Sequence, residues 1–113
     1  MPVIQVTAPS AGPDRDAARL TALCRAVAGE LGLPGSGVVA ALAPVSVTVT
    51  GETPVAAWPL AVVHGSPRPA AAMDAALRAL GRAMAEEWGV PHREVWTEWS
   101  AGRLVPVTGE ARG

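Results

Sequence analysis

The sequence contains no tyrosine and no phenylalanine; its aromatic rings, histidine apart, are four tryptophans. A core without phenyl rings must be filled from smaller pieces. Half of the 113 residues are hydrophobic, but 23 are alanine, and each alanine buries little area. Such a chain gains from a partner that covers more of its apolar surface, so an oligomer is expected. The single cysteine, Cys24, excludes an internal disulfide framework and any multi-cysteine metal site, and fits a reducing compartment.

Charge of one sign is also missing. Nine Lys and Arg against ten Asp and Glu give a net charge of -1, which provides no broad field for nucleic acid or an anionic membrane. No segment approaches the ~20 uninterrupted apolar residues of a membrane-spanning helix. The opening Met1-Pro2-Val3-Ile4-Gln5-Val6 lacks the basic region and apolar run of a signal peptide. A cytoplasmic protein is the expectation. Two histidines without carboxylates at ligand spacing predict no metal site. The stretch 26–32 is not a dinucleotide fingerprint and no Walker-type lysine loop occurs, so no cofactor is expected.

What is present is an internal repeat. Residues 2–43 align without a gap on residues 59–100, with 13 identities in 42 pairs, among them Pro2/Pro59, Leu23/Leu80, Arg25/Arg82, Glu30/Glu87, Gly32/Gly89, Pro34/Pro91 and Val38/Val95. Each half reads strand, helix, strand. Pro2 to Ala8 and Pro59 to His64 are β-branch-rich runs that begin with proline, where a strand tolerates it. Leu20, Leu23, Val27 and Leu31 form one helical stripe, and Leu77, Leu80, Met84 and Trp88 repeat it. Both helices stop before glycine, with proline two residues later.

Val38 to Leu42 and Glu94 to Trp99 are the second strands, each separated from the first by a crossover of βαβ length, which predicts two parallel pairs. The expected fold class is α+β: a four-stranded mixed sheet with two helices on one face, in a single domain over 1–113 with a linker at 51–58. Val45 to Thr50 and Leu104 to Val107 are predicted as short edge strands that pair within the subunit or across an interface.

The first dipeptide carries the most informative chemistry. Methionine before proline is readily removed, leaving Pro2 with a free secondary amine. An α-amine titrates at about 7.7–8.0, near neutrality, and a neutral amine at the mouth of an apolar pocket takes a carbon-bound proton or adds to a carbonyl. The bland alternative is a proline that only starts an edge strand.

Placed before Val3-Ile4-Gln5-Val6 in a duplicated βαβ chain, Pro2 resembles the amino-terminal proline of the tautomerase superfamily. The resemblance is to its long members with two βαβ units, of the macrophage migration inhibitory factor and hydroxymuconate isomerase kind. It covers roughly residues 2–100, carried by Pro2 to Val6, Leu31-Gly32-Leu33-Pro34, and Glu86-Glu87-Trp88-Gly89-Val90-Pro91-His92-Arg93-Glu94-Val95-Trp96. It implies a homotrimer with sites at subunit boundaries, cofactor-independent proton transfer at carbon through an enol or enolate, and a small carbonyl or carboxylate substrate held by cationic groups.

Around Pro2, several residues are candidates. Arg68, in His64-Gly65-Ser66-Pro67-Arg68-Pro69, is suited to grip a planar carboxylate, or is an arginine in a proline-rich turn. His64 donates to an enolate oxygen or is a satisfied strand-end histidine. Period two puts Trp96 and Glu98 on one face of the last strand and Trp99 on the other. By the resemblance, Trp96 falls where the inhibitory-factor branch has an active-site tyrosine and Glu98 where it has an asparagine, both reaching a neighbour's proline. Glu98 acting with Pro2 opens hydration, dehalogenation or decarboxylation; otherwise it pairs with Arg93 or Arg103. Leu33 stands where that branch has a site lysine, and Arg15 or Arg19 occupies the region where the small members carry a helix arginine. With fewer cations, a smaller or more apolar keto substrate is expected. A noncatalytic trimer that binds or scaffolds is the non-enzymatic alternative.

Overall fold

The computed structural model describes residues 1–102. Alternating valine, isoleucine and alanine against polar residues make β1 (Val3–Ala8), in which Ile4, Val6 and Ala8 are buried and Val3, Gln5 and Thr7 face outward. The chain continues through α1 (Pro13–Leu31), β2 (Val39–Pro44), β3 (Leu60–His64), α2 (Ala70–Trp88) and β4 (Trp96–Ser100), with short 3₁₀ turns at Gly35–Gly37 and His92–Glu94. The sheet order is β2-β1-β3-β4. β1 and β2 are parallel, β3 and β4 are parallel, and β1 meets β3 antiparallel with Val3 opposite His64. The two βαβ units are thus joined back to back, and the α+β expectation holds.

The repeat is visible in the backbone. Gly32 (φ 68°) and Gly89 (φ 64°) end the two helices in the left-handed conformation that glycine alone adopts without strain. Leu33 N–H then bonds to the Ala28 carbonyl at 2.9 Å, as Val90 N–H does to Ala85 at 3.0 Å. At the strand starts, the Pro2 carbonyl accepts from Val39 N–H and the Pro59 carbonyl from Trp96 N–H, both at 3.1 Å.

One apolar cluster spans both units: Ile4, Val6, Leu23 and Val27 from the first, with Val63, Leu80 and Met84 from the second. Trp88 locks the halves further, donating its indole N–H to the Pro9 carbonyl at 2.9 Å while Arg19 lies 4.9 Å above its ring.

Residues 45–50 depart from the expected edge strand. Val45 N–H bonds to the Ala8 carbonyl at 3.1 Å, extending the β1–β2 ladder by one bond, and the chain then turns back so that Val49 bridges Pro54. The Thr50 hydroxyl causes the turn by accepting the N–H groups of Glu52 and Thr53 at 3.1 and 3.0 Å. Leu104 to Val107 lies outside the described residues.

α1 begins at Pro13, with Asp14 and Asp16 in the first turn, where the helix dipole favours anions. The Asp16 carboxylate reaches back to accept Ala11 N–H at 2.8 Å and the Ser10 hydroxyl, and these bonds hold it below the ordinary aspartate range. A carboxyl depressed by folding stabilises the native state above its unfolded pKa of about 3.9 and loses that contribution as pH falls through the lower folded value. Asp16→Ala is therefore expected to lower the melting temperature at neutral pH, and thermal scans in progressively stronger acid should show the gap closing.

Candidate active site at the Pro2 end of the sheet

Antiparallel pairing of β1 with β3 sorts the sequence candidates between the two ends and two faces of the sheet. Pro2 is fully buried on the face that carries the helices, as the alternation Pro2 buried, Val3 exposed, Ile4 buried requires. The ladder that sets Val3 against His64 brings Pro2 level with Gly65, and the one that sets Val3 against Val39 brings it level with Val38.

Gly65 is glycine for a steric reason. A Cβ there would stand 3.1 Å from Cζ2 of Trp99 and 3.8 Å from Cα of Pro2, so the indole of Trp99 and Pro2 both border the space a side chain would take. Arg68 follows three residues later, just before α2, half-buried. Among the described residues, two polar side-chain atoms are buried without a hydrogen-bond partner, Nε of Arg68 and Nε1 of Trp99. Buried donors are normally paired, and leaving one unpaired costs roughly 1–3 kcal/mol.

The other candidates lie on the opposite face or at the far end of the sheet. His64, Trp96 and Glu98 project from the open face, away from the helices and from Pro2. His64 Nε2 is engaged with Oε1 of Gln5 at 2.9 Å. Trp96, 62% exposed, pairs with Leu60 at the opposite end of the sheet, four residues and roughly 13 Å along the strand from Ser100. Glu98 is exposed and makes no ion pair among the described residues; Arg93 instead meets its neighbour Glu94 at 3.8 Å, and Arg103 lies outside the described residues. Arg15 is exposed on the first turn of α1, which follows the far end of β1, and so is also remote from Pro2 within one chain. Of the six sequence candidates, Pro2, His64 and Arg68 belong to the same end of the sheet, with His64 on the face opposite Pro2.

Trp99 and Gly65 were not among those candidates. The repeat held the signal: Trp99 replaces Leu42 and Gly65 replaces Ala8 of the first unit, a larger side chain set diagonally against a smaller one.

Cys24 lies in a separate groove of about 550 Å³ between α1 and β2, lined also by Leu20, Thr21, Arg25, Ser36 and Val38. Burial pushes its thiol up, away from the thiolate a nucleophile needs. Its reaction with a chromogenic disulfide at neutral pH is expected to be slower than that of free cysteine, and a rate equal to or above the free thiol's contradicts this assignment.

No family model and no curated protein sequence matches the chain. Solved structures do match. A fused 4-OT described as an asymmetric trimer is 21% identical over 97% of this chain and 98% of its own, with a TM-score of 0.81. A protein inactivated by 2-oxo-3-pentynoate is 18% identical over 98% of both chains, TM-score 0.78. Macrophage migration inhibitory factor from Toxoplasma gondii is 22% identical over 88% of this chain and 89% of its own, TM-score 0.71. The protein has the fold of the tautomerase/MIF-like superfamily, as the resemblance of its sequence implied. Among the described residues no helix is long and apolar enough to cross a membrane.

Proposed function

We propose that the chain is a tautomerase-type isomerase that needs no cofactor, in which Pro2, once Met1 is removed, shuttles a proton at carbon in a small 2-oxo acid. The observation that carries this reading is the burial of Pro2 beside Trp99, with two unpaired donors, Arg68 Nε and Trp99 Nε1, at the same end of the sheet. With Met1 attached, the Pro2 nitrogen is an amide and cannot take a proton. Its removal creates an amine at the edge of an apolar wall, the setting in which a neutral base is favoured. Arg68 supplies charge for the substrate carboxylate. The solved structures support the reading by their fold, and the inactivation of one of them by 2-oxo-3-pentynoate supports the substrate class.

A homotrimer completes the reading. Val3, Val39, Leu60 and Trp96 are exposed on one side of the sheet, an apolar face that a second copy would cover, and trimers are named among the structures of this fold. Trp96, Glu98 and Arg15 then serve a neighbour's proline or none. Hydration, dehalogenation or decarboxylation through Glu98 requires the Glu98 of another copy, because in one chain it lies on the face opposite Pro2.

The test is the intact mass of untagged protein before and after 2-oxo-3-pentynoate. Loss of Met1 and one adduct mapping to Pro2 are expected. Retained Met1 with no adduct overturns the proline mechanism and leaves a noncatalytic assembly.

A further inference from the structure

We infer that Trp99 is a substrate-contacting residue of the Pro2 site, its indole N–H donating to the carbonyl oxygen of a 2-oxo acid, and that residue 65 is glycine to admit the ring. This rests on the reading of Pro2 above and adds to it a specific oxyanion donor.

Three observations converge. First, a buried tryptophan N–H almost always finds an acceptor. Trp88 obeys the rule through the Pro9 carbonyl, whereas Nε1 of Trp99 has no partner among the described residues. Second, the ring is held against the Pro2 end: Cζ2 and Cε2, the two ring carbons nearest the N–H on the benzo side, lie 3.1 and 3.7 Å from the position a Gly65 Cβ would take, and Pro2 Cα lies 3.8 Å from the same point. Third, the equivalent place in the first unit has Leu42 and Ala8, with neither an indole nor a missing side chain. The change occurs only in the half that faces the catalytic amine.

Two unpaired donors of different kinds fit a ligand with two kinds of acceptor. The guanidinium of Arg68 suits a carboxylate, and the neutral indole N–H suits an adjacent carbonyl. A 2-oxo acid carries these on neighbouring carbons. When Pro2 takes the proton from C3, the electron pair moves to the carbonyl oxygen, and a donor bonded to that oxygen gains strength as charge develops. Return of the proton to C3 restores the ketone, so nothing is consumed.

The experiment uses Met1-free protein labelled with ¹⁵N-tryptophan, in which four indole signals are expected and Trp99→Phe identifies the Trp99 signal by its disappearance. On adding 2-oxobutanoate, the Trp99 signal should shift. Trp99→Phe should retain the wild-type circular dichroism spectrum and lower kcat for C3 hydrogen–deuterium exchange by roughly 10- to 1,000-fold, with KM changed far less. An unmoved Trp99 signal while Pro2 is alkylated or exchange proceeds overturns the inference and leaves the proline reading intact. So does an indole signal that moves on dilution of the protein alone, because its acceptor is then another copy. If wild-type protein neither exchanges nor alkylates, the proline reading fails; a Trp99 shift with 2-oxobutanoate still supports the contact, and its absence removes both.

Discussion

Blocking the nitrogen of Pro2 with one uncleaved residue is expected to lower C3 exchange of 2-oxobutanoate by a factor of about 10²–10⁴, the usual contribution of a placed general base. That range corresponds to about 3–5 kcal/mol of activation free energy. The reasoning is electronic. An amide nitrogen shares its lone pair with the carbonyl and is no base at neutral pH, while the secondary amine exposed by removal of Met1 is one. Pro2→Ala is a gentler change, since processing still leaves an α-amine at the head of β1 and removes only the ring, so its loss should be smaller than that of the blocked protein. Because the unprotonated amine is the active form, the rate should rise with pH as the proton leaves. NMR in D₂O reads all three proteins side by side. Equal exchange by blocked and processed protein would assign any activity to another group.

Much of this arrangement was legible in the sequence, and the part that was not has a definite cause. The 57-residue repeat, the Gly32 and Gly89 stops and the helical stripes all follow from local chemistry, and each appears within a residue or two of its expected place. Period two also separates Trp96 and Glu98 from Trp99 correctly. It does not say which of those faces Pro2 shares. That depends on the register between β1 and β3, which is fixed by packing between distant parts of the chain: Val3 opposite His64 puts Pro2 beside Gly65 and Trp99 and turns His64, Trp96 and Glu98 away. The Val45 to Thr50 alternation makes no regular strand within the chain for a different reason. Its pattern is that of a strand, but one threonine hydroxyl captures two backbone N–H groups and folds the segment back.

Replacing Leu80 with alanine is expected to cost about 2–5 kcal/mol, a large share of the roughly 5–15 kcal/mol that holds a domain together. Leu80 is fully buried in the same cluster as Ile4, Val6, Leu23, Val63 and Met84. The neighbourhood is poor in means of repair. Several of its buried members are alanines, and no phenyl ring exists in the chain to swing into the void, so the cavity closes only if the helices move. Thermal unfolding at matched protein concentration should show the midpoint lowered by roughly 10–20 °C. Leu23→Ala, the repeat mate, should act on a similar scale, and the double variant should depart from the sum because the two side chains belong to one cluster. Arg15→Ala, exposed on the first turn of α1, should stay within about 0.5 kcal/mol of wild type. If the two βαβ units folded independently, Leu80→Ala would split the transition and leave the first unit's step in place; a shared core predicts that a single transition moves as a whole.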